Sequence, residues 1–175
     1  DIHFINIGGG FGVEGYRKIG LLESKFDVRF GIRFNHKNKL IEDFAREITK
    51  AFKNYILSLK GLSNTELWLE PGRWIIDPVI HLLTKVLYVK NNNVILDANM
   101  TLCHRLKDEI HPVFNLSRVS LKKVNQNLYG SSCNPNDVID KFYFSYKLKQ
   151  GDIICIANLG AYSNISKTRF IKTAP

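Results

Sequence analysis

Residues 3–12 read His3-Phe4-Ile5-Asn6-Ile7-Gly8-Gly9-Gly10-Phe11-Gly12: a strand-forming apolar run passes directly into three consecutive glycines. Glycine has no Cβ, so several backbone N–H groups at such a junction can crowd around one anion. The segment reads as a phosphate cradle at a strand's C-terminal end, with a tight turn holding no ligand as the plain alternative. A junction of this kind normally lies inside a sheet. Here it opens within two residues of Asp1, which suggests that further strands precede it.

Gly10-Phe11-Gly12-Val13-Glu14-Gly15 also satisfies G-x-G-x-x-G, the dinucleotide fingerprint. That pattern needs an acidic residue about twenty positions on, after a second strand. Asp27 instead stands at the start of the next alternating run, Asp27 to Phe34, and the residues that follow that run are Asn35-His36-Lys37. The dinucleotide reading ranks below the phosphate cradle.

Working outward, Leu40, Ile41, Phe44, Ile48, Phe52, Tyr55, Ile56 and Leu59 recur at helical spacing. They predict an amphipathic helix over Lys39 to Lys60, ended by Gly61. Glu66 to Leu69 reads as a short buried strand, stopped by Glu70-Pro71-Gly72-Arg73 because proline and glycine together do not sit in a ladder. Strand, loop, strand, helix, strand is the grammar of a parallel α/β sheet, in which ligands gather at the C-terminal ends of strands. From Trp74 the texture becomes β-rich: Leu82 to Lys90, Val94 to Asp97, Val113 to Leu121 and Asp152 to Ala157. The reading is α/β plus all-β, with residues 1–78 as one unit and 79–175 as a β domain. Lys167 to Lys172 is a mildly basic, solvated tail.

Composition narrows the function. The chain has 175 residues and 45% hydrophobic content, ample for a buried core. Twenty-five Lys and Arg against 16 Asp and Glu give +9, a bias toward anions. Anion or nucleic-acid binding driven by that charge would be steeply salt-dependent and would need neither Glu70 nor Cys133, and ranks low. No apolar stretch approaches the roughly 18 residues of a membrane span, and no basic-then-apolar leader opens the chain, so it reads as unsecreted and cytoplasmic. Cys103, Cys133 and Cys155 are three, without C-x-x-C spacing, which argues against a disulfide framework and a structural metal site.

Three further motifs carry chemistry. Glu70 and Arg73 on a stiff turn could meet a cationic ring nitrogen and an oxyanion, or pair with each other. Cys133, in Tyr129-Gly130-Ser131-Ser132-Cys133-Asn134-Pro135-Asn136-Asp137, is a thiol among polar turn residues. Cys155, in Ile153-Ile154-Cys155-Ile156, reads instead as a small core residue. Tyr162, in Gly160-Ala161-Tyr162, offers a phenol to a phosphate oxygen or simply packs.

In this order, the glycine run after a strand, Glu-Pro-Gly-Arg, the Asp97-Ala98-Asn99-Met100 segment with Arg105 and His111, the Cys133 segment, and Gly151-Asp152 with Gly160-Ala161-Tyr162-Ser163 resemble the pyridoxal-phosphate-dependent ornithine and diaminopimelate decarboxylases. The resemblance runs from Ile7 to about Tyr162. It implies the last βα units of an alanine-racemase-like (β/α)8 barrel followed by the family's C-terminal β domain. The earlier barrel strands, with the family's cofactor-binding lysine, would be supplied by an N-terminal segment or a separate chain; Lys18, Lys25 and Lys37 do not match that position.

The resemblance also implies roles. The cofactor would be pyridoxal 5'-phosphate, with Gly8, Gly9 and Gly10 cradling its phosphate and Tyr162 adding a hydroxyl. Glu70 would face the pyridine nitrogen, and Arg73 the phosphate or the substrate carboxylate. Asp97, Arg105 and Asn134 would contact substrate, Arg105 as partner of a distal carboxylate. Cys133 would return a proton to the substrate α-carbon across a homodimer interface, as a protonated thiol can at neutral pH. The substrate would be a small-molecule diamino acid, or a conjugated or carrier-attached amino acid, because an uncharged Asn134 stands where the family usually has an acid. A non-catalytic homologue that binds or regulates an active decarboxylase is the alternative.

Overall fold

The computed structural model describes residues 2–13, 17–18, 39–102, 109–117 and 123–163. Strand β1 (Phe4–Asn6) lies parallel to β3 (Glu66–Trp68), with Ile5 opposite Leu67. The stacked rings of Phe4 and Trp68, 4.3 Å between centroids, pack across the pair. A parallel pair requires a crossover. Helix α1 (Ile41–Tyr55) lies between the two strands in sequence, with Glu42 and Asp43 in its first turn and Lys53 in its last, as the helix dipole favours. Phe44 meets the ring of Phe11 edge-on at 5.6 Å.

Helix α1 stops at Tyr55, short of the expected Lys60. The Ser58 hydroxyl donates to the Asn54 carbonyl at 2.8 Å, and the N–H groups of both Ile56 and Leu57 converge on Phe52. Those bonds tighten the last turn and divert the chain before Gly61, whose φ of +84° suits only glycine well. The expected strand over Asp27 to Phe34 and the tail over Lys167 to Lys172 lie outside the described residues.

After Glu70 the chain forms a short helix, α2 (Gly72–Ile76), and a 3-10 turn (Asp77–Val79). It then enters a six-stranded sheet. The strands are β4 (Leu82–Lys90), β5 (Asn93–Leu96), β7 (Val113–Asn115), β8 (Lys123–Tyr129), β9 (Val138–Tyr146) and β10 (Ile153–Ile156), in spatial order β7-β10-β4-β5-β8-β9. Every neighbouring pair is antiparallel except β5 and β8. A separate two-stranded ribbon joins β2 (Arg17–Lys18) to β6 (Glu109–Ile110). Val86, Val94, Leu96, Leu128, Leu148, Ile154 and Ile156 are wholly enclosed and form the core with Leu159 and Ala98. Burial of each such aliphatic side chain stabilises the fold by about 1.5–3 kcal/mol.

Two strands of this sheet, β8 and β9, were not among the expected runs. β8 carries Asn125-Gln126-Asn127, poor strand formers, but Gln126 is buried and its Oε1 accepts the Leu148 N–H at 2.7 Å. Tertiary context supplies the partner that propensity does not anticipate. Asp140-Lys141 interrupts the apolar run in β9. Cys155 also departs from expectation. Strand alternation sends Ile154 and Ile156 into the core and leaves Cys155 part-exposed, aligned across strands with Leu83 and Phe114. The described residues hold two parallel pairings, β1 with β3 and β5 with β8, the second inside the six-stranded sheet, so a mixed sheet is the architecture on view and a closed barrel is not part of it. Among the described residues no helix is long and apolar enough to cross a membrane.

Candidate functional site

β1 and β3 end side by side, and their terminal loops are bonded to each other. The Glu70 N–H donates to the Gly8 carbonyl at 2.9 Å, and the Gly72 N–H folds back to the Glu70 carbonyl at 2.8 Å. Gly8 and Gly10 take φ of +74° and +86°. Gly9 approaches the second loop so closely that a Cβ would collide with the Glu70 carbonyl oxygen. The three glycines are thus required for different reasons: two by their dihedrals and one by contact. Both loops open into one cleft of about 730 Å³, lined by Gly9, Gly10, Glu70, Arg73, Ile75 and Tyr162 among others. That volume falls within the roughly 300–1,000 Å³ of small-ligand sites.

The structure brings together five of the sequence-predicted residues: Gly9, Gly10, Glu70, Arg73 and Tyr162. Gly8 stands at the edge, its N–H donating to Asn6 Oδ1 at 2.8 Å. Asn6 Nδ2 in turn donates to Glu70 Oε1 at 2.6 Å. One amide side chain therefore fixes both the glycine turn and the carboxylate. Glu70 and Arg73, which could have paired together, hold different partners: Arg73 Nη1 donates to Asp77 Oδ2 at 3.2 Å. The Arg73 guanidinium also sits over the Tyr162 ring, 5.1 Å from its centroid. Tyr162 is 49% exposed and holds φ of +65°, an uncommon conformation for a bulky residue.

A second loop, between β8 and β9, carries Cys133 and Asn134, both exposed and neither lining the first cleft. Cys133 has φ of +50°, a left-handed backbone rare outside glycine and asparagine. The loop is held from beneath by Asp137, 1% exposed, whose Oδ2 accepts the Ser132 N–H at 3.0 Å and the Ser132 hydroxyl. Its Oδ1 accepts the Met100 N–H at 2.8 Å, and the Ser131 N–H donates to the Ala98 carbonyl at 2.9 Å. The Asp97–Met100 segment and the cysteine loop are thereby one unit. Asp97 is exposed, and its N–H donates to the Lys85 carbonyl at 2.8 Å. Arg105 lies outside the described residues.

Sequence reasoning missed Asn6, Asp77 and Asp137. Each left a signal: Asn6 is a polar residue inside an apolar strand, Asp77 is a lone acid between Ile75-Ile76 and Pro78, and Asp137 closes an asparagine-proline turn. Among the described residues no group of three or more His, Cys, Asp or Glu is placed to hold a metal ion.

Residues 73–160 match the pyridoxal-dependent decarboxylases at their C-terminal sheet domain. The chain is 29% identical over 176 aligned residues to the diaminopimelate decarboxylase of Bacteroides thetaiotaomicron, covering 94% of this chain and 38% of that one. It is 27% identical to the L-glutamyl-(BtrI acyl-carrier protein) decarboxylase of Niallia circulans, covering 90% of this chain and 36% of the other. Among solved structures, the diaminopimelate decarboxylase of Helicobacter pylori, complexed with L-lysine, superposes with a TM-score of 0.72 at 26% identity, covering 97% of this chain and 37% of that one. The chain thus spans little more than a third of the length of these relatives.

Proposed function

The chain belongs to the pyridoxal-dependent decarboxylases, and from that premise we propose that it forms the phosphate-binding and ring-nitrogen side of an amino-acid decarboxylase site. Pyridoxal phosphate is the cofactor of this family. The residues present fit it: Gly9, which has no room for a Cβ beside the Glu70 carbonyl, and Gly10, with its positive φ, line the cleft with bare backbone, and Tyr162 and Arg73 reach the same cleft. Gly9 and Gly10 would hold the phosphate through backbone N–H groups, with Tyr162 adding its hydroxyl and Arg73 its positive charge. Glu70 would hold a proton on the pyridine nitrogen. When bound, the cofactor supplies an electron sink for the pair released as carbon dioxide leaves.

The chain's own residues then have separable tasks. Asn6 orients Glu70 by donating to Oε1, leaving the carboxylate aimed by a rigid strand end. Cys133 delivers a proton to the substrate α-carbon; its exposed loop, apart from the first cleft, suits action on a partner subunit's site in a cytoplasmic homodimer. Substrate specificity would involve Asp97, Arg105 and Asn134. An uncharged Asn134 favours a conjugated or carrier-attached amino acid alongside the diamino acids. The barrel strands would come from an N-terminal segment or a second chain.

The observation that carries this reading is the convergence of Gly9, Gly10, Glu70, Arg73 and Tyr162 on one cleft. Full-length protein loaded with pyridoxal phosphate should show a visible absorption band removed by borohydride, and should release carbon dioxide from an amino acid. Cys133→Ala should keep the band while slowing turnover by about 10²-fold or more. A loaded protein with no such band overturns the proposal. A band without carbon dioxide release from either free diamino acids or carrier-attached amino acids leaves a non-catalytic homologue as the answer.

A further inference from the structure

Arg73 and Tyr162 are 89 residues apart in sequence yet face the same cleft, and one side chain that does not line the cleft connects them. Asp77 is 0% exposed, in the 3-10 turn that follows α2. Its Oδ2 accepts from Arg73 Nη1 at 3.2 Å, and its Oδ1 accepts the Ala161 N–H at 2.7 Å. Its backbone carbonyl accepts the Gly160 N–H at 3.2 Å. Gly160 lies so tightly against this turn that a Cβ would collide with the Ile76 carbonyl oxygen. The Arg73 guanidinium meanwhile covers the Tyr162 ring. Asp77 and its neighbour Ile76 therefore tie the Glu70–Arg73 turn to the Gly160–Tyr162 turn, and the stacking of Arg73 on Tyr162 joins the same two turns directly.

We infer that Asp77 is a positioning residue for the anion-binding wall of the cleft, setting affinity for the phosphate handle of the ligand through Arg73 and the Gly160–Tyr162 turn. The inference rests on the reading of the cleft given above. A buried ion pair adds little net stability, since desolvation offsets most of its Coulomb gain, so its specific effect lies in fixing geometry. An arginine left to sample its many rotamers would lose that freedom on binding an anion. A guanidinium already held by a carboxylate on one side and a ring on the other has lost it beforehand.

The experiment compares pyridoxal phosphate with pyridoxal, which lacks the phosphate, as ligands of the full-length protein, by absorbance or fluorescence titration without reference to turnover. Wild type should prefer the phosphorylated ligand. Asp77→Asn keeps an oxygen for the Ala161 N–H but turns an amide toward Arg73. It should lower that preference about tenfold while changing pyridoxal affinity less than about twofold, the loss expected for one charge-assisted contact. Arg73→Gln should lower it similarly, and the double variant, in which no buried charge is left unpaired, should match Arg73→Gln alone. The double variant also keeps the test decisive should Asp77→Asn fail to fold. Wild type with no preference overturns the cleft reading and this inference together. A wild-type preference that survives Asp77→Asn, or a double variant that differs from Arg73→Gln, overturns the inference alone. Equal weakening toward both ligands assigns Asp77 a purely structural role and overturns it too.

Discussion

The buried carboxylate of Asp137 accepts the backbone N–H of Met100 at 2.8 Å, joining two loops that lie 37 residues apart. The other oxygen holds Ser132, next to Cys133. The thiol's left-handed backbone is thus imposed from below by an acid that never meets the surface.

Removing that acid should be costly. Asp137→Ala strands the N–H groups of Met100 and Ser132 and should destabilise the fold by about 3 kcal/mol in denaturant titration. Gly130→Ala should act in the same direction, because a Cβ there would collide with the Asp137 carboxylate. A stability change under about 0.5 kcal/mol in both variants would show that the loop does not depend on this acid.

Gly9→Ala forces the two strand-end loops apart, since the added methyl would meet the Glu70 carbonyl oxygen. Pyridoxal phosphate affinity should fall by at least about tenfold, and stability by about 1–3 kcal/mol. Titration of the cofactor beside thermal unfolding reads both effects.

Asn6 offers a separate handle on Glu70. Asn6→Ala removes the partner of Glu70 and of the Gly8 N–H together, and carbon dioxide release should drop by about tenfold or more. Asn6→Asp restores the acceptor for Gly8 yet places a second carboxylate beside the first. It should be slower than the alanine variant, because like charges at hydrogen-bond distance oppose an ionised carboxylate, the form that the proposed contact with the pyridine nitrogen requires. Rates of the two variants, measured at saturating cofactor, decide the order.

Burial pushes the Cys155 thiol up from its ordinary value. Its reactive thiolate is therefore scarce at pH 8, whereas Cys133 is exposed. Iodoacetamide should label Cys133 at least about tenfold faster than Cys155, as read by peptide mass spectrometry. The sign follows from the raised value: the neutral thiol is the favoured form in the folded protein, so Cys155 labelling should climb as pH rises past the ordinary thiol range. Equal rates at pH 8 would contradict the partial burial of Cys155.

The residues that face the cleft were legible only in combination: each motif alone also read as a plain turn, an internal ion pair or a packing tyrosine, and their order along the chain carried the resemblance. Gly9, Gly10, Glu70, Arg73 and Tyr162 fall into that group. Asn6 and Asp77, which support them, were not legible, nor was Asp137 beneath the cysteine loop, since each acts in part through a partner distant in sequence. An acid four positions after an arginine looks like any helix-surface pair until the 3-10 turn buries it. β4 was readable over its full length from its apolar run, Leu82 to Lys90. β8 was not, because the buried Gln126 borrows its hydrogen bond from Leu148, and no local pattern announces that loan.

The last described strand, β10, is inserted between β4 and β7 rather than added at an edge. This interior strand of the sheet is therefore synthesised after both of its neighbours. A nascent chain must keep the flanks of β4 and β7 unzipped until residues 153–156 leave the ribosome, so assembly is governed by contacts of high sequence separation and should proceed slowly. Chaperone holding of those bare edges, or a stop codon placed before Gly151, would expose the same weak point: two open ladders primed for intermolecular pairing.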